Sequence, residues 1–565
     1  MARAASSALE ELKSQKDVFG KDAASRKLEL LGTLETSPLA SAGQVLALHD
    51  LLCYWRAYPQ NAEILVAVER MLERFDRRPD LRRFRGELED TGIAGTALHF
   101  AFFWPMAVRV AERWPDRITV VWGDFEKAGE LEKILHLLLP YSETVVLDAM
   151  RLSPRRWVDL LRGPEEADAT FLIRRFVALR APAPVRERLY ESPDIPIRLA
   201  PGPDTPARTR EKWDGAPVVY LKRAPSRARP SMRKVVRNVG FGVRSLPPGE
   251  ARRMIDLANA AMVPRHRDLL VFLNGDDRDV RLVDFGDGLQ FAMIGARPDN
   301  RLILEAVYGF LILRNGVPIG YVLNSALFCS CELAYNVFEA FRGTETARNY
   351  ARFVAVVSRL FQADSFTVDP YQLGLRNREG LKSGAWWFYY KLGFRPRNPE
   401  IRALVREELA RIETDRSYRT SRAMLQRLAA DNLFYSLGRP RPDVLGRIAM
   451  GNVGVRISRY LAERFGSDRE RGIRTCSDEA ARLMGVRNLR RLPPDERTAW
   501  ERWSPLVRVL PGAERWSSAE RRALVSVVRA KGGRRESDFV RLFDRHARLR
   551  RAILDLAKPF TDSPA

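Results

Sequence analysis

The sequence predicts an α/β protein with a central domain built on a mixed β-sheet. An N-terminal helical region with a small α/β unit flanks it on one side, and a C-terminal helical region on the other. Three observations carry this. Two apolar runs, AVYGFLILR and VPIGYVLNSALF, meet at Asn315-Gly316, and that dipeptide makes a two-residue hairpin turn with positive φ at both positions cheap. A third run, CELAYNVF, passes through the turn EAFRGTETA into ARNYARFVAVVSRLF, where Phe353, Val354, Val357, Leu360 and Phe361 recur at helical spacing. DSFTVD then reads as a further strand, and SGAWWFYYKLGFRP as a short aromatic helix that Gly393 ends and Pro396 keeps from resuming.

Taken in order, residues 1–115 read as helical, with Ile64, Leu65, Val68, Met71, Leu72 and Phe75 on one face and Pro59 separating that helix from the one before it. Residues 116–200 alternate short strands (ITVVW, TVVLD, DIPIRLA) with helical stretches, the pattern of a small α/β unit. Asp124, Glu126 and Asp148 follow two of those strands, a position that suits helix capping as well as ligand contact. Residues 201–235 are rich in Pro and Arg and read as a linker with one embedded strand. From 236 to 400 a strand (NVGFGVRSLP), a helix (PGEARRMIDLANAAMV) and a hairpin turning at Gly286-Asp287-Gly288 precede the central hairpin. Residues 401–565 read as helical and basic: Ser517 and Glu520 form a capping box, and Phe539, Leu542, Phe543, His546, Leu549 and Ile553 form the stripe of a last helix. Arg541, Arg545, Arg548 and Arg551 lie on its other face and are expected to form a basic docking surface, with nucleic acid as one partner it would suit and solubility as the alternative role.

The formal net charge is +24, carried mostly by arginine. A field of that sign favours nucleic acid, anionic surfaces or acidic small molecules, and it is silent on fold. The four cysteines show no Cys-x-x-Cys spacing, so a zinc site is not expected and a reducing compartment is. Cys329 and Cys331 are expected to alternate along one strand. The N-terminus has no apolar core of a signal peptide, and ALHFAFFWPMAV is too short to span a bilayer. A cytoplasmic protein without a transmembrane segment is the expectation.

The order strand, Arg342-Gly343 turn, helix, strand, then Ala385 with Phe388-Tyr389 and Lys391-Leu392-Gly393-Phe394 resembles the GNAT superfamily of N-acetyltransferases over residues 236–397. The resemblance implies an acyl-CoA-dependent N-acyltransferase that uses acetyl-CoA or another acyl-CoA as co-substrate and an amine as acceptor. It implies that Arg342, Gly343, Thr344, Thr346 and Ala347 cradle the pyrophosphate, that Tyr389 protonates the leaving thiolate, and that Glu332 on the preceding strand serves as base, with Glu339 a weaker alternative. Tyr390, one position off the motif, should face elsewhere on the helix.

Two positions depart from the pattern. Lys382 stands where the family usually carries an Asn about two turns before the tyrosine, while Asn377 lies further upstream. Glu345 stands where the family carries the loop's middle glycine, and a carboxylate aimed at a pyrophosphate would repel it. The expectation is that Glu345 swings outward to pair with Arg348 or Arg352, and that Glu345→Gly tightens CoA binding. A competing function belongs to another class: a GNAT-like scaffold without catalysis, binding a polyanion or protein partner.

Overall fold

The computed structural model describes residues 2–150, 152–215, 217–226, 228–343 and 345–560, with side chains except at residues 2 and 146–148. The chain forms two compact units. The first comprises Met1–Pro225, Arg253–Leu273 and Arg314–Pro318; the second comprises Ser226–Arg252, Asn274–Leu313 and Ile319–Ala565. Among the described residues no helix is long and apolar enough to cross a membrane.

In the first unit the helices Ala42–Ala57 and Ala62–Glu73 are capped by Ser41 and Asn61, whose side chains accept from the backbone N–H groups of Gln44 and Ile64. Such caps satisfy donors that the first helical turn leaves free. Three short strands, β1 (Leu98–Phe100), β2 (Ile118–Val120) and β3 (Ile197–Leu199), make an antiparallel sheet in the order β1-β3-β2. This departs from the sequence reading in two places. ALHF contributes a strand to a stretch expected to be helical, and TVVLD lies in the helix Tyr141–Ala149 instead of a strand. No parallel sheet therefore places Asp124 and Glu126 at a ligand crevice, and the Asp148 side chain lies outside the described residues. The strand expected in the linker does not form among the described residues; residues 217–222 are irregular.

The second unit is organised on one mixed sheet of nine strands: β4 (Gly242–Ser245), β5 (Gly275–Asp284), β6 (Leu289–Ala296), β7 (Ala306–Arg314), β8 (Val317–Leu327), β9 (Ser330–Val337), β10 (Ser365–Val368), β11 (Arg395–Pro396) and β12 (Leu433–Ser436). The order is β11-β12-β10-β9-β8-β7-β6-β5-β4. Both residues of the β7–β8 turn have positive φ, Asn315 at 49° and Gly316 at 79°, as the dipeptide requires.

The pairing of β9 with β10 is parallel. β9 and β10 are joined by the helix Thr346–Phe361, which cannot be a tight turn because parallel strands need a crossover. The parallel register runs Ser330↔Ser365, Cys331↔Phe366, Glu332↔Thr367 and stops there, although β9 continues to Val337 on its antiparallel partner β8. Five residues of β9, Leu333–Val337, thus lie beyond its pairing with β10, which ends at Val368 where Pro370 begins a short helix, and an opening, the wedge, is left beside them. Phe353 of the crossover helix fixes it to the sheet through edge-on contacts with Phe310 at 4.9 Å and Phe291 at 5.5 Å, each worth about 1 kcal/mol beyond the area buried.

The C-terminal region differs from its reading as helical throughout. LFYS forms β12, which enters the sheet between β11 and β10. The stripe expected on one last helix is split between Glu536–Arg545 and Ala547–Leu556, because His546 leaves helical geometry and caps the second helix, its Nδ1 accepting from Leu549 N–H at 3.0 Å. Arg541, Arg545, Arg548 and Arg551 therefore come from two helices and form no single helical face; Arg541 also donates to Leu360 O at 3.3 Å. Cys329 sits in the β8–β9 turn with φ 50° and only Cys331 lies on the strand, so the two thiols do not alternate along one strand as expected.

Candidate functional site

A cavity of about 570 Å³ opens in the wedge. Its floor includes Tyr335, Asn336 and Val337, the stretch of β9 that β10 no longer accompanies. One wall is the turn Arg342-Gly343 and the first residues of the crossover helix, Thr346 and Ala347; the other is formed by the helices Arg378–Ser383 and Ala385–Lys391, which contribute Glu379, Trp387, Phe388, Tyr389 and Lys391. Residues that the sequence places in two distant motifs thus share one surface. Thr344 lies outside the described residues.

The geometry of each wall follows from local chemistry. Gly343 has φ 78°, a left-handed conformation that favours glycine, and the turn it makes aims the start of the 16-residue crossover helix at the cavity. Free N–H groups and the positive end of a helix dipole make that wall receptive to an anion. Opposite, Asn377 caps the Arg378–Ser383 helix by accepting from Gly380 N–H at 3.0 Å. Gly384, with φ 66°, turns the chain into the aromatic helix.

Tyr389 is 2 % exposed and packs edge-on against Tyr350 at 5.5 Å, which itself meets Tyr335 at 5.1 Å. Burial raises its phenol above the ordinary tyrosine range, and a hydrogen bond with the Tyr335 backbone works in the opposite direction. The phenol holds its proton at neutral pH and can donate it. Tyr390 stacks on Trp386 at 5.2 Å and takes no part in the cavity.

Glu332 does not line the cavity. It stands at the last parallel pair before the wedge, three residues before Tyr335, so the two side chains leave opposite faces of β9. Burial, then the nearby carboxylates of Asp369 and Glu305, push its carboxyl up to about 7. Glu339 sits in the single turn Glu339–Phe341 and does not line the cavity either.

Glu345 is not directed at the cavity. It sits just before the crossover helix with its carboxylate 3.6 Å from Arg348, as expected, but the side chain is 5 % exposed instead of swung into solvent. Arg352 is engaged elsewhere, donating to Asp287 at 2.8 and 3.1 Å. The acid that does face the cavity is Glu379, which pairs with Arg342 through a short hydrogen bond; Arg342 also donates to Val337 O at 3.1 Å. No sequence motif announces Glu379, since it meets Arg342 across 37 residues of chain.

Comparison of the chain with family models, with curated proteins and with solved structures gave no match.

Proposed function

We propose that the chain is an acyl-CoA-dependent N-acyltransferase with a GNAT-like core over residues 236–400, transferring an acetyl or other acyl group to an amine. The observation that carries this reading is the meeting of Arg342, Gly343, Thr346 and Ala347 with Tyr389 around one cavity at the opening of a parallel strand pair. An anion-receptive helix start on one wall and a protonated phenol on the other are what a thioester of a pyrophosphate-bearing carrier needs.

In this reading the amine nitrogen attacks the thioester carbonyl carbon, the C–S bond breaks, and Tyr389 gives its proton to the sulfur. Glu332, whose carboxyl is raised to about 7 on the opposite face of β9, is the base that the resemblance assigns to the proton the amine loses. The acceptor attacks as the neutral amine and loses one proton as the amide forms.

The alternative, a non-catalytic scaffold for a polyanion or protein partner, draws on two observations: Arg342 is already occupied by Glu379, and Glu332 stands outside the cavity. Calorimetry with acetyl-CoA, followed by a thiol-release assay over a panel of amines, separates the two. Micromolar binding that weakens at least tenfold in Arg342→Ala, with thiol release in the presence of an amine, supports the enzyme. Absence of binding in both the natural chain and Glu379→Gln leaves the scaffold.

A further inference from the structure

The charges around the cavity are unevenly matched. Three cations line it, Arg229, Arg342 and Lys391, against one carboxylate, Glu379, and that carboxylate is committed to Arg342. Among the described residues neither Arg229 nor Lys391 has a carboxylate partner. The excess positive charge therefore sits at the Lys391 end of the cavity.

A third cation joins them. Trp387, which lines the cavity, donates from Nε1 to Thr420 Oγ1 at 3.0 Å, and this brings the neighbouring Arg419 to the same rim. Arg419 spends one N–H arm on the carbonyls of Arg416 and Tyr418, at 2.9 and 2.8 Å, and among the described residues it forms no ion pair with a carboxylate. Asp415, an acid that feels its charge, is bonded to the backbone and hydroxyl of Ser417 at 2.7 and 2.6 Å. Partial burial, then the guanidinium groups of Arg229 and Arg419, hold the Lys391 ammonium below the ordinary lysine range, as a cluster of like charges awaiting an anion should.

This cluster is not the Arg342 wall seen from another side. Glu379, which holds Arg342, precedes Gly384, whereas Lys391 closes the Ala385–Lys391 helix at its other end. Seven residues of helix separate Gly384 from Lys391, about 10 Å along the axis. Arg229 and Arg419 are the guanidinium groups whose charge reaches the Lys391 ammonium, and Arg342 is not among them.

We propose that Arg229, Lys391 and Arg419 form a second anion subsite, which takes a phosphomonoester or carboxylate group of the same ligand whose pyrophosphate lies against the Arg342-Gly343 turn. The proposal rests on the acyl-CoA reading for the identity of that ligand. It adds that the ligand carries two separated anionic groups, with the second at the rim beyond Tyr389. The phosphomonoester would be the one on the ribose of CoA; the carboxylate would belong to a dicarboxylic acyl group.

The test compares the natural chain with Arg229→Met/Lys391→Met, two substitutions at exposed positions that remove the charge and keep an unbranched stem. Both proteins are titrated with CoA, dephospho-CoA, acetyl-CoA and succinyl-CoA. If the ribose phosphate is the second anion, the double variant binds CoA about tenfold or more weakly and dephospho-CoA unchanged, since a charge-assisted contact is worth at least that factor. If the acyl carboxylate is the second anion, the loss falls on succinyl-CoA and spares acetyl-CoA. Equal affinities of the two proteins for all four ligands would overturn the subsite while leaving the acyl-CoA reading intact. Should the natural chain bind none of the four, inorganic phosphate decides the subsite alone. A phosphate-dependent rise in melting temperature that disappears in the double variant upholds it, and an unchanged rise overturns it.

Discussion

Tyr389 and Glu332 are tuned in the same direction by burial, with opposite consequences for their chemistry. Burial favours the neutral form of both. For the phenol this secures a proton donor, so Tyr389→Phe, which removes one oxygen and almost no volume, should lower turnover by a factor of about 100 and change the acetyl-CoA dissociation constant less than threefold. Equal losses in both would mean the tyrosine only packs. For the carboxyl, a value of about 7 against an ordinary 4.5 means that ionisation falls within the working range. If the ionised form is the base, kcat/KM should rise with pH through about 7, and Glu332→Gln should lower it and flatten the profile. The sign for stability is the reverse. The folded state binds more protons than the unfolded chain between about 4.5 and 7, so stability falls as pH rises across that window, and Glu332→Gln should remove this slope in denaturant titrations at several pH values.

At the scale of elements, the turn and helix around residues 342–347 show what the sequence could and could not say. The hairpin at Asn315-Gly316, the crossover helix and the aromatic helix ending at Gly393 were legible because each is set by local rules: positive φ, a 3.6-residue period, a stop signal. β12 was not legible, because LFYS is four residues long and becomes a strand only by pairing with β10, Ser436 lying opposite Ser365. TVVLD misled in the other direction, its β-branched run being absorbed into a nine-residue helix. The carboxylate that faces the cavity was not legible for the same reason: Glu345, next to the motif in sequence, pairs with Arg348, whereas Glu379 reaches Arg342 only through the fold. The two acids should now be separable by mutation. Glu379→Gln frees Arg342 and removes a like charge from the path of a pyrophosphate, and should tighten CoA binding about three- to tenfold, in keeping with a half-exposed ion pair. Glu345→Gly should leave affinity within about twofold and lower stability, since it deletes a buried partner of Arg348. Tighter binding in the Glu345 variant alone would show that its carboxylate reaches the ligand after all.

For the whole molecule, the question is whether the C-terminal helices are an appendage of the sheet or part of its core. Ser226 to Ala565, apart from the two segments that belong to the first unit, forms one compact body. The joint is polar and buried. Lys531 pairs with Glu536 at 2.6 Å and donates to Glu305 O at 2.8 Å, while Tyr308 of β7 donates to Asp279 of β5 at 2.6 Å and accepts from Ser537 N–H at 2.7 Å. Arg301 adds bonds to the carbonyls of Lys531 and Gly533 at 2.8 and 2.6 Å. Burial pushes the Lys531 ammonium down and the Glu536 carboxyl up, and the charge of each partner is the first interaction that opposes the shift of the other. Lys531→Met strands a buried carboxyl and should cost about 3–5 kcal/mol, read as a lower midpoint in urea unfolding. Lys531→Met/Glu536→Leu removes both charges and should recover most of that loss, because two apolar side chains carry no uncompensated ion. The same joint predicts that a chain ending at Thr414 will not fold: it lacks β12, which lies between β11 and β10, as well as every C-terminal partner of Asp279 and Tyr308. A truncated chain with native-like near-ultraviolet circular dichroism, or a Lys531→Met variant within 1 kcal/mol of the natural protein (about a fivefold change in the folding equilibrium), would make the C-terminal helices an appendage.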